Sequence, residues 1–155
     1  MKIQASISGY GMAPATVYSF YEAESDILLV SKETAFRADR FSDAILIGGV
    51  GLAERDCLFT DVDFMDAIEE FFIRANGKTL MIDDKAARCD PRQKLEPDGM
   101  SDFGKRLYRV SPDITCGQVA VLATALYVKK ALGIGSAMEM QDWFLDAGQG
   151  GFVTI

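Results

Sequence analysis

Residues Ile114–Gly133 read ITCGQVAVLATALYVKKALG, and the layering of the fold turns on this stretch. Thr115, followed three residues later by Gln118, predicts a capping box in which each side chain satisfies a backbone donor of the first helical turn. From Val119 to Val128 only Thr124 is polar. No face is left for water, and a helix apolar all round is buried in a core. Lys129 and Lys130 fall in the last turn, where cations suit the helix dipole, and Gly133 can adopt the left-handed conformation that ends a helix. The expectation is a central helix over 115–132, packed on something flat and apolar, most simply a sheet. Cys116 lies in its first turn, where free backbone donors lower a thiol pKa. With no histidine to serve as base, a structural role is expected for that cysteine.

Composition bounds what this helix can belong to. The chain has 155 residues, enough for one domain with a full core. Its 49% hydrophobic and 25% charged content is that of a globular protein. The net charge of −7 is scattered rather than blocked and argues against a nucleic acid partner, which calls for a basic face. Histidine is absent, which excludes Ser-His-Asp and Cys-His catalysis within one chain and every His-liganded metal site. Cys57, Cys89 and Cys116 form no C-x-x-C pair and suit a reducing compartment. No run reaches the roughly 18 apolar residues of a membrane span, and the first residues lack a signal-peptide core. A cytoplasmic location is expected, with neither a metal nor a cofactor.

Outward from the helix, Lys2–Ser8 alternates as a short strand and is broken by Gly9, Gly11 and Pro14. Thr16–Tyr21 (TVYSFY) and Ile27–Val30 (ILLV) predict a hairpin. Thr34–Asp43 reads as a connector, and Ala44–Ile47 as a buried strand running into Gly48-Gly49-Val50-Gly51. LAERDCLF, residues 52–59, is short and weakly helical. Over Thr60–Asn76, Phe64, Ile68, Phe71 or Phe72 and Ala75 share one face, while acids take much of the other. Leu80–Ile82 predicts a strand, Ala86–Lys105 a long loop, and Arg106–Val110 another strand. Ser136 with Glu139 predicts a second helix to about Ala147 presenting Met140, Trp143 and Phe144, followed by a strand at Phe152–Ile155. Strands and helices segregated in this way predict an α+β protein rather than alternating βαβ units.

Three features are candidates for chemistry. The Gly48–Gly51 turn follows a strand as a phosphate cradle would, but it lacks the third glycine of G-x-G-x-x-G and the lysine of a P-loop. Close packing is its expected use. Asp83 and Asp84 could hold a hard cation, although neighbouring strand residues point to opposite faces. Cys116 is the third.

Several stretches in order resemble the proteasome β-subunit and HslV branch of the N-terminal nucleophile hydrolases. Thr16-Val17-Tyr18 opens a hairpin and Ile27-Leu28-Leu29-Val30 returns; Asp43–Gly51 is similar to that family's third strand and its glycine turn. Ile114-Thr115-Cys116-Gly117, the apolar helix, SAMEMQDWFLDAG and GFVTI follow the order of its later elements. The resemblance spans about residues 16–155. It implies a four-layer α-β-β-α sandwich with antiparallel sheets, a single domain over 1–155, and residues 1–15 as a propeptide-like extension. It further implies Thr16 as the nucleophile of a threonine peptidase after cleavage at Ala15–Thr16, with the new amine as its base. Lys32 would supply positive charge, and the backbone of Gly48, Gly49 and Gly51 would face the oxyanion. The sequence departs from the pattern where it has Lys32 in place of a supporting Asp and Phe36 or Arg37 in place of a catalytic Lys. A catalytically silent relative acting through a ring or stacked homo-oligomer, or through a protein partner, is therefore the leading expectation. The alternative is an acidic interaction module of the inhibitor or immunity type.

Overall fold

A computed structural model describes residues 1–11, 13–104 and 106–146, with side chains described through residue 132. Among the described residues, eight strands and two α-helices run in the order β1 (Lys2–Ile7), β2 (Ala15–Glu22), β3 (Ile27–Ala35), β4 (Ile45–Gly48), β5 (Cys57–Leu58), α1 (Phe64–Asn76), β6 (Leu80–Ile82), β7 (Leu95–Met100), β8 (Arg106–Val110) and α2 (Cys116–Asp146). Short 3-10 turns at Asp61–Asp63, Asp84–Cys89 and Pro91–Lys94 join them. The fold is mixed α+β, as its segregated elements predicted.

Six strands form one sheet in the order β5-β4-β1-β2-β3-β6, and β7 with β8 forms a separate hairpin. β1 pairs antiparallel with β2 and β2 with β3, whereas β4 is parallel to β1, β5 to β4 and β6 to β3. β2 alone therefore runs against the other five. The expected sandwich of two antiparallel sheets is not formed among the described residues: the large sheet is mixed, and the second sheet has two strands. Residues 2–7, within the expected propeptide-like extension, do not stand outside the fold either. They supply β1, which lies between β2 and β4 in the middle of the sheet.

The apolar helix is placed as its sequence requires. Thr115 N–H donates to Gln118 Oε1 at 2.9 Å and Gln118 N–H to Thr115 Oγ1 at 3.1 Å, closing the capping box. From Cys116 to Val128 every residue except Tyr127 is buried. Ile3, Ala5, Ile7, Val17, Leu28 and Val30 of the sheet join this helix in one core, which Ala67, Ile68 and Phe71 of α1 complete. Helix, sheet and α1 thus bury one another, which is why the stretch carries no polar stripe. Gly133 does not end the helix, which continues as α2 to Asp146. The side chains of Met140, Trp143 and Phe144 and the expected strand at Phe152–Ile155 lie outside the described residues.

Smaller differences have local causes. The expected loop over 86–105 contains two 3-10 turns and β7. Asp83 and Asp90 start those turns by accepting from Lys85 N–H and Arg92 N–H, at 2.9 and 3.0 Å. Tyr108 of β8 stacks on Phe72 of α1 at 4.7 Å with planes 6° apart, which docks the hairpin on that helix. Residues 52–59 are not helical, and Cys57–Leu58 adds an edge strand instead.

Candidate functional site

The two faces of the sheet are chemically different. Toward α2 it is apolar apart from Ser19 and Glu33. On the outer face, β1 and β2 place Gln4, Ser6 and Thr16, all buried, and Tyr18, which is half-buried. Over Gln4, Ser6 and Thr16 lies the connector 36–44, which has no helix or strand of its own. Its backbone is held by the buried polar side chains. Gln4 Nε2 donates to Asp39 O at 2.9 Å, and Gln4 Oε1 accepts from Phe41 N–H at 2.7 Å. Ser6 Oγ donates to Arg37 O at 2.6 Å, and Thr16 Oγ1 accepts from Arg37 N–H at 2.8 Å. Ser6 and Thr16 also share a 2.8 Å hydrogen bond. Since the Ser6 proton is committed to Arg37 O, Thr16 is the donor in that pair.

Beside this anchored connector a groove of about 690 Å³ opens between β2, β3 and the connector, and Lys2, Tyr18, Phe20, Lys32, Arg37 and Phe41 form part of its lining. Tyr18 and Phe41 meet edge to face, their ring centroids 5.7 Å apart. Lys32 Nζ lies 5.6 Å from the Tyr18 centroid and the Arg37 guanidinium 5.2 Å from that of Phe41. Neither cation has a carboxylate partner within ion-pair distance among the described residues. Phe20, Phe36 and Phe41 are 45%, 38% and 50% exposed, so apolar ring surface faces water along the same groove.

A β-bulge puts Lys32 there. Tyr18 pairs with Lys32 but Ser19 pairs with Val30, which leaves Ser31 as the extra residue. In an unbroken strand Val30 and Lys32 would share a face, because side chains alternate with period two. The bulge keeps Val30 in the core and turns Lys32 outward. It also turns Glu33 toward the first turn of α2, where the carboxylate ion-pairs with Arg88 and meets the space a Cβ on Gly117 would need. An acid at a helix N-terminus is favoured by the dipole.

The residues singled out from sequence fall out as follows. Thr16 is internal to β2 and fully buried, with its hydroxyl spent on Arg37 N–H and Ser6. Thr16, Ser6 and Gly48 lie in one row across β2, β1 and β4, so Thr16 and Gly48 are separated by a whole strand. Lys32 shares the outer face with Thr16. A Cβ on Gly48 would stand 2.3 Å from a Leu52 methyl, so close packing explains that glycine, while Gly49 and Gly51 have room. Cys116 is buried, its Sγ donating to Tyr10 O at 2.9 Å, and burial raises its thiol pKa instead of lowering it. Cys89 is likewise pushed up to about 12, first by burial and then by the Glu33 carboxylate. Neither is an activated nucleophile. Asp83 caps a 3-10 turn, and no cluster of three or more His, Cys, Asp or Glu suited to a metal occurs among the described residues. Sequence reading missed Gln4, Arg37 and Phe41; the signal available was a fully polar-capable Gln and Ser alternating with Ile3, Ala5 and Ile7 on a strand destined for the interior.

No family model matches the chain, and no curated protein matches it. Among solved structures it is similar to the large terminase nuclease from thermophilic phage G20c with bound magnesium, at 11% identity and a TM-score of 0.47, with 79% of each chain covered. That likeness gives the proteasome resemblance no support, and the topology of the chain itself counts against it. The family's nucleophile must open its first strand with a free amine, whereas Thr16 follows an integral central strand and is sealed from solvent. The proteasome-like, N-terminal nucleophile and threonine-peptidase readings are overturned, and the roles they implied for Thr16, Lys32 and the glycine turn lose the resemblance that carried them. The acidic inhibitor or immunity module gains nothing from the structure in their place.

Proposed function

We propose that the outer sheet face binds a small planar anion, of the class that includes nucleoside monophosphates and aromatic carboxylates. One observation carries this reading. In a chain of net charge −7, the groove is lined by Lys32 and Arg37, by Lys2, which is ion-paired with Asp43, and by one acid, Asp39, with aromatic rings beside them. A ring offered to Tyr18 and Phe41 gains stacking, about 0.5–1.5 kcal/mol beyond its buried area. An anionic group on it meets Lys32 and Arg37, whose charge-assisted hydrogen bonds contribute about 1.5–3 kcal/mol each when water is excluded. The groove volume of about 690 Å³ lies within the roughly 300–1,000 Å³ of small-molecule sites. A cytoplasmic location is part of this proposal, and three free cysteines would suit its reducing conditions.

The test is a titration of ¹⁵N-labelled protein followed by NMR, with AMP and benzoate as ligands and adenosine and inorganic phosphate as half-ligands. Saturable shifts at Tyr18, Lys32, Arg37 and Phe41 are expected for AMP and benzoate, with each half-ligand weaker than AMP. The outcome that sinks the proposal is the absence of saturable shifts at millimolar AMP and benzoate, or shifts confined to another part of the surface.

A further inference from the structure

The groove wall that carries Arg37 and Phe41 is an irregular segment, and irregular exposed segments are mobile unless their backbone is tied down. Here it is tied from below. Gln4 is fully buried on the central strand and uses both ends of its amide on this segment. The orientation of that amide follows from its partners: Phe41 N–H can only donate and Asp39 O can only accept, so a flipped amide would set like against like at both contacts. Nε2 lies also 3.4 Å from Arg37 O and 3.3 Å from Ser6 Oγ. One side chain thus engages residues 37, 39 and 41, every second residue of the wall, while Ser6 and Thr16 hold residue 37 from both its carbonyl and its N–H.

We infer that Gln4 is a positioning residue for ligand binding, which sets affinity by holding Arg37 and Phe41 in place before the ligand arrives. This rests on the ligand reading above. A buried glutamine on a central strand is costly unless both its ends are bonded, and an apolar residue would serve the sheet better if the connector needed no fixed backbone. Gln4 touches no ligand itself. Its contribution is to remove the ordering cost that a free loop would impose on binding.

The test uses Gln4→Met, close in volume but unable to hydrogen-bond. The measurements are backbone amide exchange without ligand and AMP affinity by NMR titration. For Gln4→Met, exchange at Phe41 is expected to accelerate at least tenfold and AMP affinity to fall about tenfold, with the amides of Val121 and Leu122 still protected. Should Gln4→Met fail to fold, Ser6→Ala removes one bond to Arg37 O and shifts both readouts in the same direction by a smaller factor. Leu122→Ala is the structural control, since it weakens the core on the opposite face and leaves AMP affinity unchanged. A Gln4→Met or Ser6→Ala protein with wild-type AMP affinity overturns this inference alone. A wild-type protein blind to both AMP and benzoate overturns the ligand reading, and this inference with it.

Discussion

The two faces of the central sheet are built by opposite rules. The inner face is held by shape: Ile3, Ala5, Ile7, Val17, Leu28 and Val30 pack on a helix that is apolar all round. The outer face is held by pairing: Gln4, Ser6 and Thr16 are as deeply buried, yet each makes directed hydrogen bonds to one connector. Apolar packing tolerates some rearrangement at modest cost, whereas a buried donor without its acceptor loses its whole desolvation energy. The inner face therefore supplies stability to the whole molecule, and the outer face fixes the position of one segment. That division gives stability and binding different mutational signatures.

The largest effect tests whether the faces share a spine. Deleting residues 1–15 removes β1, the strand that carries Ile3, Ala5 and Ile7 on one side and Gln4 and Ser6 on the other. The truncated chain is expected not to fold, giving a random-coil circular dichroism spectrum. A folded truncation would break the comparison at its root, because β1 would then be dispensable to both faces. Next comes Leu122→Ala, at a fully buried position of α2. A loss of about 2–5 kcal/mol in denaturant unfolding is expected from the removed apolar atoms and the cavity left behind. If AMP affinity fell in parallel, the two faces would be energetically one unit.

The inner face was legible in sequence and the outer face was not, for a physical reason. Periodicity reports which residues avoid water, so the apolar run Val119–Val128, the capping box at Thr115 and Gln118, and the hairpin of TVYSFY with ILLV could all be read directly. Periodicity says nothing about partners. Whether Gln4 and Ser6 end in water or under a connector depends on where residues 37–41 return, more than thirty positions away. Strand order is also a long-range property. The same local pattern of strands and helices is compatible with a sandwich of antiparallel sheets and with this mixed sheet, in which β4 returns parallel to β1. Lys32 was noticed as a cation in the right neighbourhood, but the bulge at Ser31 that faces it outward leaves no signature in residue type. Gly133 misled because a glycine can end a helix without being obliged to.

An intermediate effect probes the rim of the connector. Arg40 is ion-paired with Asp56 and donates to Ala44 O at 2.7 Å, while Asp56 Oδ2 accepts from Leu46 N–H at 2.8 Å. The Arg40 guanidinium and then the Leu46 N–H hold the Asp56 carboxyl below its usual 3.8. A depressed folded-state pKa means that the stabilisation is complete above the unfolded value, about 3.9, and is lost as pH falls through the folded value. Asp56→Ala is expected to cost about 1 kcal/mol at pH 7, at the low end for charge-assisted bonds because both side chains are partly exposed. That cost shrinks below pH 4. Urea unfolding of both proteins at pH 7 and pH 3 measures it; an equal cost at both pH values would assign the contribution to packing, as on the inner face.

The smallest change in stability is the sharpest test of function. Lys32 is exposed and contacts the Tyr18 ring at 5.6 Å, an interaction contributing only about 0.5–1 kcal/mol at an exposed site. Lys32→Ala should therefore leave unfolding free energy within about 1 kcal/mol of wild type. Placing a lysine on this face requires a bulge that interrupts the β2–β3 pairing, and the small stabilisation the lysine returns does not explain why the strand is broken to expose it. The proposed ligand would give the exposed cation a use. In Lys32→Ala, AMP affinity is expected to fall at least fivefold and its dependence on salt to flatten, since one fewer cation is screened; Lys32→Arg retains the wild-type salt slope. Affinity and slope unchanged in Lys32→Ala would make the bulge a feature of the sheet alone and leave Lys2 and Arg37 as the groove's cations.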